Sequence, residues 1–267
     1  MNHEKQLVHD FWEAASCGEK LYLSSSDRAG YEAQARKRYE LEPYIQVFAQ
    51  FDGARGKKVL EIGVGLGADH QCFALAGADL YGIDLSERAI EHTRRRLCAF
   101  GLTSQLKVGD AEQLDFPDCY FDRVYSWGVL HHTPDTSKAV SEVWRVLKRE
   151  GMASIMIYHK ASLVGLMLWT RYALARFRPI SMTAVYSKYL ESPGTKAYSF
   201  REAGELFSAF NEVTIRTVLT HGDLLQSAAG QRHEGPLLSL ARKLWPRFLL
   251  RRLLPGMGLF MLIQARK

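Results

Sequence analysis

Three sets of residues in this chain have the types and spacing that chemistry needs. Residues 61–68, Glu61-Ile-Gly63-Val-Gly65-Leu-Gly67-Ala68, leave an apolar run and enter a helical stretch. Glycines there allow a turn with φ values closed to other residues and let the backbone approach a ligand closely. The first N–H groups of the helix behind can meet an anionic group. Asp84 lies 21 residues after Gly63, at the end of the next apolar run, where a carboxylate can accept hydrogen bonds from ribose hydroxyls. Glu61 stands where its carboxylate can meet a cationic amino group, and Gly109-Asp110-Ala111 offers a carboxylate and a backbone N–H to an adenine edge. Finally, Trp127, His131, His132 and His159 gather near the ends of two later apolar runs. A neutral imidazole near pH 7 suits a general base.

The glycine loop alone leaves two ligands open. Gly63-x-Gly65-x-x-Ala68 with Asp84 also satisfies the dinucleotide fingerprint, and a glycine turn with a capping Asp84 is the bland structural reading. Glu61 weighs against NAD, which has no amino group there. The histidines do not form a metal site: His131 and His132 are adjacent and cannot converge on one ion, and no carboxylate lies at helical ligand spacing. Each histidine also has an ordinary reading as a structural hydrogen-bonding residue. Cys17, Cys72, Cys98 and Cys119 contain no CxxC pair, which points to reduced, mostly structural thiols.

These residues need a frame. Apolar runs at 57–63, 78–84, 105–108, 121–127 and 152–158 read as strands, alternating with helices at 68–76, after Ser86, and at 137–147. Ser86 is the expected N-cap, with Ala89, Ile90, Thr93 and Leu97 on one helix face. Such alternation implies βαβ units and a parallel sheet covered on both faces. Residues 200–210 read as a helix, and 212–219 and 259–265 as two further strands. Two stretches without strands of their own, 160–197 and 221–255, are expected as helical insertions over the sheet's carboxyl edge. Residues 1–50 read as a helical lid on a domain spanning 51–267. Arg38 and Tyr39 are its best candidates for touching the ligand, the cation meeting a carboxylate.

The runs VLEIGVGLGADH, YGIDLSERAIEHTRRRL, GDAEQLDF, FDRVYSWGVLHHTPD and EVWRVLKREG together resemble the class I S-adenosylmethionine-dependent methyltransferases. The resemblance covers about residues 55–160 and is nearest the small-molecule and lipid-modifying group that includes ubiquinone and menaquinone methyltransferases. It implies a Rossmann-like α/β fold: a seven-stranded, mostly parallel sheet with one antiparallel strand and helices on both faces. It implies S-adenosylmethionine as cofactor, with Glu61, Gly63, Gly65 and Gly67 holding the methionine portion. Asp84, followed by Leu85, would take the ribose, Asp110 and Ala111 the adenine, and Trp127 would lie beside the cofactor. Lys148-Arg149-Glu150-Gly151 replaces the family's usual Lys-Pro-Gly-Gly, a turn variation away from the chemistry.

The activity expected is methyl transfer to a small-molecule or lipid-like acceptor, with oxygen preferred over nitrogen or carbon because His131, His132 and His159 are available as bases. A nicotinamide-dependent oxidoreductase and a non-catalytic nucleoside-binding member of the fold are the alternatives. Charge is uneven: the net is +6, yet residues 171–267 hold 15 Lys and Arg against 6 Asp and Glu. Residues 161–180 and 237–254 mix large apolar groups with Arg171, Arg176, Arg178, Arg242, Lys243, Arg247, Arg251 and Arg252. Leu237, Ala241, Leu244, Trp245 and Phe248 keep helical spacing, interrupted at Pro246. Such a surface can lie on an anionic bilayer as a peripheral contact, or simply cap the domain. No nucleic-acid signature is present. The first twenty residues carry no signal-peptide apolar region, and the longest uncharged runs, 161–170 and 253–265, are too short to span a bilayer. A cytoplasmic protein, touching membranes at most from their surface, is expected.

Overall fold

The computed structural model describes residues 2–177, 179–226, 243 and 245–267. Seven strands are β1 Lys58–Ile62, β2 Asp79–Asp84, β3 Gln105–Val108, β4 Phe121–Trp127, β5 Leu147–Tyr158, β6 Glu212–Val218 and β7 Phe260–Arg266. They form one sheet in the order β3-β2-β1-β4-β5-β7-β6. β1 to β5 pair in parallel, and β7 runs antiparallel to both β5 and β6, so it is the one reversed strand. The chain order turns back between β1 and β4, which opens a crevice at the carboxyl ends of these strands.

Local chemistry sets the helices. α5 Ala68–Leu75 follows the glycine loop; α6 Glu87–Ala99 is capped by Ser86, which accepts from Ala89 N, and α7 Thr136–Val146 by Asp135. α8 Leu163–Tyr172 and α9 Met182–Tyr189 begin at Ser162 and Ser181, and α10 Phe200–Leu206 at a Ser199–Glu202 capping box. One sheet face packs Leu60, Ile62, Val124 and Ile155 on Val140 and Val143 of α7; the other packs Val59, Leu80 and Tyr125 on Phe48 and Phe73. Both faces being covered explains why β1, β4 and β5 read as nearly unbroken apolar runs.

Two boundaries differ from the sequence reading by more than one residue. α10 stops at Leu206 because the chain must turn through Phe207–Phe210 to join the edge strand β6 beside β7. β5 begins five residues early, at Leu147, since Glu150 and Gly151 hydrogen-bond to Lys267; Glu150 takes φ +63 in that turn.

The first 50 residues are helical, α1 His3–Ala14, α2 Glu19–Tyr22, α3 Arg28–Leu41 and α4 Tyr44–Ala49. Arg96, fully buried on α6, ties α3 to the glycine loop. Its guanidinium donates to Leu66 O at 2.7 Å, to Gln34 Oε1 at 2.9 Å and to Tyr31 O, and it lies over the Tyr31 ring. Arg96→Leu would leave three buried acceptors without donors, so it should cost roughly 3–5 kcal/mol, read as a lower urea midpoint. Of the second basic stretch, Leu237, Ala241, Arg242 and Leu244 lie outside the described residues, as does Arg178; α11 Arg247–Leu253 starts just after Pro246.

Candidate functional site

A cavity of about 1110 Å³ opens at the carboxyl ends of β1 to β5, walled by the glycine loop, α1, α3, α8 and the segment after β6. Gly63, Gly65 and Gly67 have φ of +84, +51 and +74. Gly63 N donates to Ile83 O at 2.8 Å, folding the loop onto β2, and a Cβ there would sit 2.0 Å from Val129 Cγ2. A Cβ on Gly65 would meet nothing within 4 Å. It would project into open space, the bare backbone a bound ligand needs.

Two carboxylates mark the far side of this loop. Asp84 Oδ2 accepts from Gly65 N at 3.2 Å and Oδ1 from Ser86 N and Oγ at 3.0 Å each. Burial pushes its carboxyl up despite these donors. Asp110 Oδ1 accepts from Glu112 N at 2.9 Å, and Lys5 of α1 bridges Asp110 to Glu112. Leu85 and Ala111 line the cavity between them. One lysine thereby ties the first helix across the end of the site that two sheet-borne carboxylates define.

Glu61 lines the cavity floor but is already engaged. Ser104 Oγ donates to Leu80 O at 2.8 Å, so it accepts from His70 Nε2, also at 2.8 Å; His70 Nδ1 is then left as the acceptor 2.9 Å from Glu61 Oε2. Burial pushes Glu61 well above the carboxylate range, with Asp69 and Asp84 adding to it, and burial pushes His70 down to about 3. The proton therefore rests on Glu61 and is donated to a neutral His70.

Arg38 also lines the cavity, held by Asp69 through Nε at 3.0 Å and Nη2 at 2.6 Å, with Glu42 3.4 Å from Nη1. Tyr39 is a correction. Its hydroxyl donates to Asp69 at 3.0 Å and lies 3.2 Å from Cys72 Sγ, so it supports Asp69 from behind and does not reach the cavity. Trp127 lines the cavity, stacked between Tyr44 and Tyr125.

The three histidines separate. His132 lines the cavity. His131, fully buried in the 3₁₀ turn Leu130–His132, packs its ring 3.9 Å from the Tyr158 ring and 4.2 Å from that of His132, with no hydrogen bond to either nitrogen. His159 alternates with Tyr158 across the strand: Tyr158 faces the cavity, while His159 Nδ1 donates to Gly258 O at 3.2 Å. Burial holds both His131 and His159 neutral. Neither reaches the cavity, so two of the three proposed bases are corrected to structural residues.

Glu42, Glu191 and Cys17 line the cavity too, and no local motif announced them. Cys17 is accessible from the cavity, and its desolvating surroundings, with Glu191 nearby, push the thiol up to about 12. Among the described residues no cluster of His, Cys, Asp or Glu could hold a metal ion. Burial, with Asp69 and Glu191 adding and Arg38 opposing, pushes Glu42 up to about 7. Between about 4.5 and 7 the folded chain keeps a proton that the unfolded chain releases, so stability falls as pH rises through that window. Glu42→Gln should therefore stabilise the protein by about 2 kcal/mol at pH 8 and leave it unchanged at pH 4.5, measured by urea unfolding at both.

Residues 60–155 match the family described as a methyltransferase domain. The chain is 35% identical over 126 residues to a phosphatidylethanolamine N-methyltransferase of Cereibacter sphaeroides, covering 46% of this chain and 61% of that protein. It is 32% identical over 155 residues to a sterol 24-C-methyltransferase of Pneumocystis carinii, covering 56% and 39%. The chain thus spans less than two thirds of either relative. The crystal structure of an S-adenosylmethionine-dependent methyltransferase from Mesorhizobium loti superposes with a TM-score of 0.54 at 16% identity, covering 84% of this chain and 97% of that one, a likeness of fold alone.

Proposed function

We propose that this chain, which belongs to the class I S-adenosylmethionine-dependent methyltransferases, transfers the methyl group to an acceptor with a large apolar part, a lipid-like or small molecule. The observation that carries this is the size and mixed lining of the cavity. At about 1110 Å³ it exceeds the roughly 300–1,000 Å³ of clefts that take one small ligand. Its lining joins the glycine loop, Asp84 and Asp110 to large apolar side chains that include Trp12, Leu21, Met167, Leu225 and Phe260.

The residues present fit the cofactor. Gly65 leaves room for it, and Asp84, Leu85, Asp110, Ala111, Glu61 and Arg38 all line the same cavity; in this reading Asp84 and Leu85 would take the ribose, Asp110 and Ala111 the adenine, and Glu61 and Arg38 the amino and carboxylate groups. When bound, S-adenosylmethionine supplies an electrophilic methyl on a positively charged sulfur. The protein's task is then to hold an acceptor in line beside Trp127, worth roughly 7–11 kcal/mol, and to remove its proton. His132 is placed for the second part. Thr195 Oγ1 donates to Ser192 O at 2.7 Å and lies 3.1 Å from His132 Nδ1, with Ser192 Oγ at 2.8 Å. The His132 ring lines the cavity, with its Nε2 buried 3.4 Å from Glu191 Oε2.

A nicotinamide-dependent oxidoreductase is disfavoured, because the sheet order after β5 is β7-β6 rather than a second mononucleotide-binding half. Peripheral membrane contact stays part of the proposal, with a cytoplasmic location. Leu166, Thr170, Arg171 and Ala175 are exposed and line the cavity, which places them at its mouth, and Phe177 close by is 94% exposed. Among the described residues no helix is long and apolar enough to cross a membrane. The test is incubation with methyl-labelled donor and a lysate of the native organism, followed by lipid extraction. Label in the organic phase is the expected result; label confined to the aqueous phase would overturn the lipid-like acceptor.

A further inference from the structure

Two helical segments beside the cavity leave large apolar side chains in water. After α8 comes the 3₁₀ turn Leu174–Arg176; Leu166 and Leu174 are exposed there, and Phe177 has almost its whole ring in solvent. On α11, Phe248 is 78% exposed, and Leu249 and Leu253 are exposed with it. Both segments are basic. Arg171, Arg176, Arg251 and Arg252 are exposed, and among the described residues no ion pair joins any of them to a carboxylate. Residues 161–190 and 245–267 contain no Asp or Glu at all. Arg171 and Arg176 lie 5.4 and 5.1 Å from the same Tyr172 ring, two like charges gathered without a counter-charge. Phe177 takes φ +51, a left-handed conformation rare for an aromatic residue, and no burial of its ring offsets that cost.

One buried residue fastens both segments. Asp223 is fully buried; its Oδ1 accepts from Val164 N in the first turn of α8 at 3.1 Å, and its Oδ2 accepts from Leu259 N, just before β7, at 2.8 Å. Its backbone oxygen accepts from Trp245 Nε1 at 2.9 Å, and Arg247 Nε, at the start of α11, donates to Leu224 O at 2.9 Å. Leu166, Met167 and Arg171 of α8 line the cavity, and so does Trp245, two residues ahead of α11. The exposed apolar and basic side chains therefore stand on two elements that share one anchor and adjoin one cavity.

From this we infer that α8, the turn to Phe177 and α11 form a docking surface for an anionic phospholipid bilayer, and that docking presents the cavity to an acceptor held in the membrane. The inference rests on the lipid-like acceptor reading above and names the partner of that site. Charge complementarity and the kind of side chain select the occupant. Guanidiniums without a counter-charge meet lipid phosphates, while Leu and Phe enter the boundary between headgroups and acyl chains. A second copy of the chain would bring the same basic face and be repelled. A nucleic acid would satisfy the arginines but leave Leu166, Leu174, Leu249 and Leu253 in water, because it offers phosphates and stacking bases rather than an apolar phase. A docked mouth also spares an apolar acceptor the passage through water between membrane and cavity.

The test is flotation of the whole chain, without cofactor, with vesicles of phosphatidylcholine alone and of phosphatidylcholine with about 30% phosphatidylglycerol. Binding to the anionic vesicles should be at least about tenfold tighter than to the neutral ones, and should weaken about tenfold between roughly 0.05 and 0.5 M salt. Phe177→Ser with Phe248→Ser, and separately Arg251→Gln with Arg252→Gln, should each weaken it by at least about tenfold. The melting temperature should hold in both, because all four side chains are exposed. Leu75→Ser, an exposed apolar residue at the end of α5 away from the glycine loop, should change nothing. Equal binding to neutral and anionic vesicles, no binding to either, or binding unaltered in both double variants would overturn the inference. So would a lipid-free dimer that the Phe177→Ser, Phe248→Ser chain fails to form. Methyl transfer takes no part in this measurement, so these results leave that reading standing; it fails instead if the folded chain does not bind S-adenosylhomocysteine.

Discussion

His132→Gln lowers the rate of methyl transfer by about 10²–10⁴-fold at pH 7 and leaves the affinity for S-adenosylhomocysteine within twofold. The size of the effect follows from the network behind the ring. Ser192 and Thr195 hold the ring at Nδ1, 2.8 and 3.1 Å away, and Glu191 stands 3.4 Å from Nε2, where it can stabilise the positive charge that proton uptake creates on a ring that lines the cavity. Glutamine fills similar space but cannot take a proton. The companion variant His131→Gln separates catalysis from packing: that ring packs against Tyr158 and does not line the cavity, so it should lower the melting temperature with kcat reduced less than tenfold. Steady-state kinetics on both variants, with the acceptor found by the labelling experiment, checks the pair.

Gly65→Val should abolish cofactor binding, by more than about 100-fold in Kd, while the protein still folds. At φ +51 the valine costs roughly 1–2 kcal/mol in backbone strain, a cost a domain of this size survives. A Cβ there meets no protein atom within 4 Å, so the harm is expected to fall on whatever approaches the loop from the cavity. Gly63→Ala gives the opposite pattern. Its Cβ would strike Val129 at 2.0 Å, and the damage appears first as lost stability. Calorimetry with S-adenosylhomocysteine, read beside thermal unfolding of the two variants, distinguishes a glycine kept for a ligand from a glycine kept for packing.

Residues whose roles follow from their own neighbours in the chain were legible. β3 and β4 fall at 105–108 and 121–127 as their patterns indicate, and Ser86 caps α6, because alternation and capping are local physics. The glycine loop and Asp84 are legible for the same reason: a strand, a turn and a helix lie consecutively in sequence. Glu42 and Glu191 were not. Each sits at the end of an amphipathic helix, where a solvated carboxylate is the ordinary expectation, and only the docking of α3 and α9 over the sheet edge buries them beside the cavity. The histidines failed differently. Three imidazoles near the carboxyl edge were visible, but a 3₁₀ turn and strand alternation decide which one faces inward, and a single residue of register separates His132 from His131 and Tyr158 from His159. Tyr39 likewise sits one residue from Arg38 on α3, and adjacent helical residues do not share a face.

A calorimetric titration of the folded chain with S-adenosylhomocysteine bears most directly on the crevice between β1 and β4. One site per chain is expected, with Asp84→Ala binding about 10–100-fold more weakly, the loss of charge-assisted hydrogen bonds to the ribose hydroxyls. No heat from folded protein, or an affinity that Asp84→Ala leaves untouched, would contradict the account.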